Sequence, residues 1–209
     1  MRYSDTHKSE THARLLKIAG KALREKGPEG LAVAEVMKEA GLTHGGFYAH
    51  FKSKDALLAE ALESIFVYSK EKYRRMIDGL PPRHALATFI DYYVSPEHRD
   101  NPSRGCPLVM LNSDLPRQSK KFRGVFDAGV ERLTLTIATL IRDIGVSTDP
   151  GLAPSILSAM AGAVAISRAV SDKRLSDEML EAARESIKAR LGVTDAELAR
   201  EKSHLRSVQ

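Results

Sequence analysis

Apolar residues in this chain recur every three or four positions, the spacing of one buried helical face, and no run alternates in the manner of a strand. The first such stripe is Leu15, Ile18, Ala19, Ala22 and Leu23, flanked by Arg14, Lys17, Lys21 and Arg24. Gly27, Pro28 and Gly30 end it, because glycine suits a helix C-cap and proline cannot continue a helix. A short helix is predicted over 33–40, with Val33, Val36, Met37 and Ala40 inward and Gly41 as its stop. A very short segment occupies 43–50, and then Ser53 caps a long amphipathic helix reaching about 78. The buried face of that helix is Leu57, Leu58, Ala61, Leu62, Ile65 and Phe66. Gly79 and Pro81-Pro82 close it.

The rest of the pattern predicts helices over about 83–94, from Pro107, and over 117–144, 151–171 and 177–191. A polar loop is expected at 95–104, and a charged tail, a frayed helix or disordered, after Gly192. The expected fold class is therefore all-α, with about nine helices and no internal repeat.

Composition narrows the class. Of 209 residues, 43% are hydrophobic and 28% charged, which supports a folded core rather than disorder. The longest uncharged stretch, 150–167, is broken by Pro150, Pro154 and three serines, so no membrane span is expected. Residues 1–10 are polar and give no secretion leader, so the expected location is cytoplasmic. One cysteine, Cys106, leaves no internal disulfide and no multi-cysteine zinc site. His7 and His12 are expected in a flexible arm, His84, His98 and His204 lack ligand spacing, and no metal or cofactor is assigned. The net charge of +5 permits contact with a polyanion without establishing it.

The informative stretch runs from Val33 to Asp55, V-A-E-V-M-K-E-A-G-L-T-H-G-G-F-Y-A-H-F-K-S-K-D. It reads as helix, glycine turn, helix, with Gly41 suited to positive φ and Thr43 placed to cap the second helix. Gly45 and Gly46 each cost a helix about 1 kcal/mol relative to alanine, which suggests close approach by another molecule. A major groove is one candidate, since recognition helices enter it by their N-terminal residues. Tyr48, His50, Lys52 and Lys54 add hydrogen-bond donors just beyond. A plain turn with core aromatics is the alternative. Residues 1–55 carry 10 Lys and Arg against 7 Asp and Glu, a modest local surplus.

These residues resemble the DNA-binding domain of the TetR/AcrR family of bacterial transcriptional regulators. The matching pattern is Gly-Leu-Thr at 41–43, Gly-Phe-Tyr at 46–48, and His-Phe-Lys-Ser-Lys-Asp at 50–55 with leucines after it. Leu23-Arg24-Glu25-Lys26-Gly27 lies in register before it, and the likeness covers about 10–62. The resemblance implies an N-terminal three-helix helix-turn-helix domain at 1–55, a C-terminal helical effector-binding and dimerisation domain at 56–192, and a charged tail at 193–209. It implies that Thr43, Tyr48, His50 and Lys54 contact phosphates of double-stranded DNA. His44 and Gly45 would face base edges, Gly46 would allow close approach, and Phe47 and Phe51 would pack in the small core. Ala32 departs from the pattern, since family members often carry a threonine there that can bond a phosphate.

Farther along, Ala159, Ala161, Gly162, Ala163 and Ala165, with Met179, Leu180, Ala183, Ile187 and Leu191, fit either a buried helix pair or a self-complementary surface. The resemblance implies the latter, a homodimer on a palindromic operator. Phe89, Tyr92, Tyr93, Met110, Phe122, Phe126 and Met160 could line an apolar effector cavity or could be ordinary core. In Arg104-Gly105-Cys106-Pro107-Leu108, Pro107 suits the first helical position, so Cys106 sits at or beside the N-cap, where the helix dipole and Arg104 favour a thiolate. The segment resembles a branch of the family with Gly-Cys-Pro here, some members of which respond to oxidants or electrophiles. A buried, inert cysteine is the other reading.

The expectation is a DNA-binding repressor released by a small-molecule or thiol-reactive effector, not an enzyme. Its rivals are a DNA-binding protein without an effector and, remotely, a thiol enzyme pairing Cys106 with His84 or His98.

Overall fold

A computed structural model of the chain describes the backbone of residues 2–200 and the side chains of residues 7–200, and among these residues there is no strand. In order come α1 (Arg2–Gly30), α2 (Val33–Glu39), α3 (Lys54–Ile77), α4 (Pro82–Tyr93), α5 (Pro96–Asp100), α6 (Pro107–Met110), α7 (Lys120–Asp143), α8 (Leu152–Ala169) and α9 (Lys173–Arg190). Short 3₁₀ turns occupy His44–Ala49, Pro102–Arg104 and Leu115–Arg117. Two compact units result, and they do not keep to chain order. One gathers the chain up to Ser69 with Pro102–Val130; the other gathers Lys70–Asn101 with the chain from Glu131.

The first unit is built on the α1 stripe. Leu15, Ala19 and Leu23 are sealed from solvent, as are Met37 of α2 and Leu57 and Leu62 of α3. The glycine predicted to end α1 instead breaks it: Gly27 takes φ 71° and ψ 175°, and a further turn runs to Gly30. His7 and His12, expected in a flexible arm, lie on α1 itself. The segment from Pro102 to Arg117 packs beside α1 in the same unit, and Gln118 Nε2 donates to Glu29 Oε1 at 3.3 Å.

In the second unit, Leu86, Phe89, Ile90 and Tyr93 of α4 are buried, as are Ile156, Met160 and Val164 of α8 and Leu180 and Ile187 of α9. Two buried cations tie distant parts of the chain. Arg99 donates to Asp177 at 2.6 Å, to Ser176 at 2.7 Å and to Asp100 at 2.7 Å. Lys188 donates to Asp195 at 2.6 Å and to Asp91 at 3.2 Å. Each carries the carboxylate partners that make a buried charge tolerable.

Three expected boundaries change. The polar loop at 95–104 contains α5, which begins with Ser95 accepting from the His98 amide and with Pro96 in the first turn. The last helix starts earlier than expected, at Lys173, because Asp172 accepts from the amides of Arg174 and Leu175. The tail after Gly192 is anchored as far as it is described: Val193 is buried, and 195–200 is helical. Thr194 and Glu197 cap that helix reciprocally, the hydroxyl and amide of Thr194 both donating to the Glu197 carboxylate. His204 lies outside the described residues.

Candidate nucleic-acid interface

The turn between α2 and the 3₁₀ segment has a definite cause. Gly41 adopts φ 72°, a left-handed conformation that only glycine enters without strain. Its N–H donates to Lys38 O at 3.0 Å, and the Leu42 N–H donates to Met37 O at 2.9 Å. Together these are the 5→2 and 6→1 bonds of a Schellman motif, which satisfies the last carbonyls of α2. The chain leaves in an extended direction through Thr43, at φ −75° and ψ 150°.

Thr43 occupies the expected N-cap position, but its side chain makes no capping bond; the Gly46 amide reaches the Thr43 carbonyl instead, at 3.0 Å. The next segment is a 3₁₀ turn rather than an α-helix, and at its end the Phe51 amide makes an i→i−4 bond to Phe47 O at 3.0 Å. Two adjacent glycines explain the tighter winding, since they supply no side chains to favour the α form. The Thr43 hydroxyl is exposed and unengaged among the described residues.

Phe47 and Phe51 are buried with ring centroids 5.7 Å apart, and they fix the segment to the core. That anchoring turns the other side chains outward. Thr43, His44, Gly45, Tyr48 and Lys54 are exposed, Tyr48 at 73%, while Gly46 and His50 are half-buried. A Cβ added at Gly45 would meet nothing within 4 Å, and one at Gly46 would make only ordinary contact with Met37 and Thr43. Neither glycine is therefore demanded by the packing of the free chain. Ser53 caps α3 as expected, accepting from the Ala56 amide at 3.1 Å.

His50 has a particular environment. The His12 ring of α1 stacks on Phe51 at 4.6 Å, its Nε2 donates to Glu60 Oε2 of α3 at 3.0 Å, and its centroid lies 6.3 Å from that of His50. Burial first, then the charges of His12 and Lys8, hold the His50 imidazole below the ordinary histidine range. Ala32, the departure from the family pattern, provides no side-chain cap at the start of α2. The cleft between α1 and α2, about 230 Å³, is lined by Glu25, Glu35 and Glu39 against Lys21 and Lys26. Carboxylates there disfavour a phosphate.

The seven residues proposed to line an effector cavity, and the proposed sensor Cys106, divide between the units. Phe89, Tyr93 and Met160 are fully buried in the second unit, where Tyr73 meets Phe89 edge-on at 5.1 Å and Tyr92 is half-buried beneath the Lys72 ammonium. Cys106, Met110, Phe122 and Phe126 belong to the first unit, with Phe122 buried and Phe126 set edge-on to Phe66 at 6.3 Å. Cys106 is the N-cap of α6, as expected, but it is only 2% exposed and makes no capping bond through sulfur. Arg104 is exposed. The His98 ring, a suggested base, has Nδ1 2.7 Å from the Tyr93 carbonyl, and burial lowers its pKa.

Comparisons with known proteins agree with this geometry. The sequence profile of the bacterial regulatory proteins of the tetR family matches residues 15–61, the span from the α1 stripe to the first turns of α3. The uncharacterized HTH-type transcriptional regulator YerO of Bacillus subtilis is 32% identical over 100 residues, which are 44% of this chain and 34% of that protein. The HTH-type transcriptional repressor KstR2 of Mycolicibacterium smegmatis is 26% identical over 87 residues, 41% of this chain and 42% of that protein. The chain thus spans between a third and a half of the length of these curated relatives. E. coli NemR, solved in its reduced form, shares the fold with a TM-score of 0.75 at 19% identity, over 86% of this chain and 96% of that one. YerO and KstR2 are described as a transcriptional regulator and a transcriptional repressor.

Proposed function

We propose that this chain, whose residues 15–61 carry the tetR-family unit, is a homodimeric repressor that reads a palindromic operator in double-stranded DNA and releases it when an effector binds its helical C-terminal part. The single observation that carries the reading is the outward set of Thr43, His44, Gly45 and Tyr48 on a segment pinned from behind by Phe47 and Phe51. Thr43, Tyr48, His50 and Lys54 bond phosphates, while His44 and Gly45 meet base edges and Gly46 lets the backbone come close. The work is cytoplasmic. Selection of duplexes from a random pool tests the reading: two inverted half-sites about one helical turn apart are expected. A selected sequence without two-fold symmetry would contradict the dimeric reader.

The α8–α9 pair supports dimerisation. By length and composition α8 is apolar enough to cross a membrane, yet only 33% of it is buried within this chain. Ile166 and Leu175 are exposed, and a Cβ at Gly162 would meet nothing within 4 Å. A second subunit covering that face accounts for it. Ile166→Lys is expected to shift the protein towards monomer in analytical ultracentrifugation and to weaken operator binding with it.

Of the two effector classes, the burial of Cys106 favours a reversibly bound small molecule over direct attack on the thiol. Maleimide should label native Cys106 at least tenfold more slowly than a free peptide thiol at neutral pH, since burial withholds the sulfur. Labelling as fast as the peptide would restore the Gly-Cys-Pro segment as a sensor. A screen in which neither small molecules nor oxidants release the DNA would favour a regulator without an effector.

A further inference from the structure

His50 stands apart from the other outward residues because its surroundings are built rather than open. Its ring centroid lies 6.4 Å from that of the buried Phe51, and its Nδ1 is enclosed with no hydrogen-bond partner among the described residues. Nε2 is therefore the nitrogen left to meet a ligand. The groups facing the ring come from two neighbouring helices. His12 of α1 lies 6.3 Å away between centroids, Lys8 of α1 adds its charge, and Glu60 of α3 bonds His12 at 3.0 Å. Lys52 and Lys54 come just after His50 in the chain and are exposed.

We propose that operator binding is coupled to the uptake of a proton at His50, with His12 and Lys8 as the groups that hold the ring neutral beforehand and Glu60 as the partner that fixes His12 in place. The inference rests on the reading of His50 as a phosphate contact. In the free protein a cationic ring would sit in a partly dry site, close to His12 and Lys8, and with an Nδ1–H that finds no acceptor. All three effects disfavour the imidazolium. A phosphate oxygen on Nε2 brings a full negative charge within one hydrogen bond of the ring, and this reverses the balance. The proton comes from solvent, and no bond other than N–H is made.

Linkage sets the sign. Above the pKa of His50 in the complex, the ring is neutral both free and bound, and affinity is at its lower plateau. Below the depressed pKa of the free protein, it is charged in both, and affinity is at its upper plateau. Between these limits affinity rises as pH falls, about tenfold per His50 ring for each unit by which DNA raises its pKa, and the two rings of a dimer multiply.

The test measures affinity for the duplex selected from a random pool, at constant salt between pH 8 and pH 5.5, for the wild type, His50→Gln and His12→Gln. The wild type should gain about tenfold more affinity over this range than His50→Gln. His12→Gln should move the midpoint of the rise to higher pH, because one opposing charge is gone. If His50→Gln loses the same factor at every pH, the phosphate contact stands and the proton coupling is refuted. If His50→Gln binds like the wild type throughout, both the contact and the coupling fall. Should the glutamine variant not fold, titration calorimetry of the wild type in two buffers of different ionisation enthalpy decides: proton uptake on binding upholds the coupling, and none refutes it.

Discussion

Replacing His44 with alanine is expected to flatten discrimination between operator variants, while replacing Lys54 should weaken every duplex by a similar factor. Both residues are exposed, but they stand at different points of the segment proposed to meet DNA. His44 opens the 3₁₀ segment directly after the turn, where recognition elements present their base-contacting residues. A base-edge contact is worth about 1–3 kcal/mol of discrimination, so one changed half-site position should cease to matter by roughly tenfold or more in affinity ratio. Lys54 is the first residue of α3, behind the reader and beside the Ser53 cap. A lysine there supplies charge to a phosphate, and its loss should lower the slope of log affinity against log salt by about 0.9 per phosphate released, counted twice in a two-fold assembly. Fluorescence anisotropy on the selected duplex and single-base variants of it, at several salt concentrations, separates the two effects. Equal losses on all sequences for both variants would remove the division of labour between them.

Most of the local structure from α1 to the start of α3 was legible in the sequence because its determinants are local. Gly41 needs a left-handed backbone, Ser53 needs only the amide three residues on, and the apolar spacing of α1 and α3 declares their buried faces. The start of α5 was also written locally, as Ser95-Pro96-Glu97, a cap with a proline and an acid in the first turn. Asn101 and Pro102, just beyond it, made the stretch look like loop. The Thr194–Glu197 capping box was hidden in the same way by the charged residues around it. The features that sequence could not give depend on partners far along the chain. Arg99 and Lys188 look like surface residues, since such side chains are rarely buried unless paired. Beside the near neighbours Asp100 and Asp195, their partners include Asp177, 78 positions beyond Arg99, and Asp91, 97 positions before Lys188. The candidate cavity residues suffered likewise: aromatic and methionine side chains at helical spacing read the same whether they line a cavity or fill a core.

Gly129 is the sharpest instance of this long-range dependence, and changing it should produce the largest loss of stability. In sequence it is a glycine inside a helix, nominally a weakness worth about 1 kcal/mol relative to alanine. In the first unit it faces Phe66, and a Cβ there would lie 2.2 Å from two carbons of the phenyl ring. Phe66 is buried and edge-on to Phe126, so the ring has little room to withdraw. The overlap should outweigh the gain in helix propensity, since forcing extra carbon into a packed core costs about 1–3 kcal/mol and more for branched side chains. Gly129→Val is therefore expected to lower Tm by roughly 5–10 °C, at about 2–4 °C per kcal/mol for a chain of this size. Gly124, about one and a half turns earlier on α7, is the internal control: a Cβ there meets nothing within 4 Å. Gly124→Ala should leave Tm unchanged or raise it by a few degrees. Trimming the ring in Phe66→Leu should relieve part of the Gly129→Val penalty, giving a favourable coupling in the double-mutant cycle. If Gly129→Val and Gly124→Ala prove equally harmless in thermal unfolding, α3 and α7 do not meet at Phe66 as described.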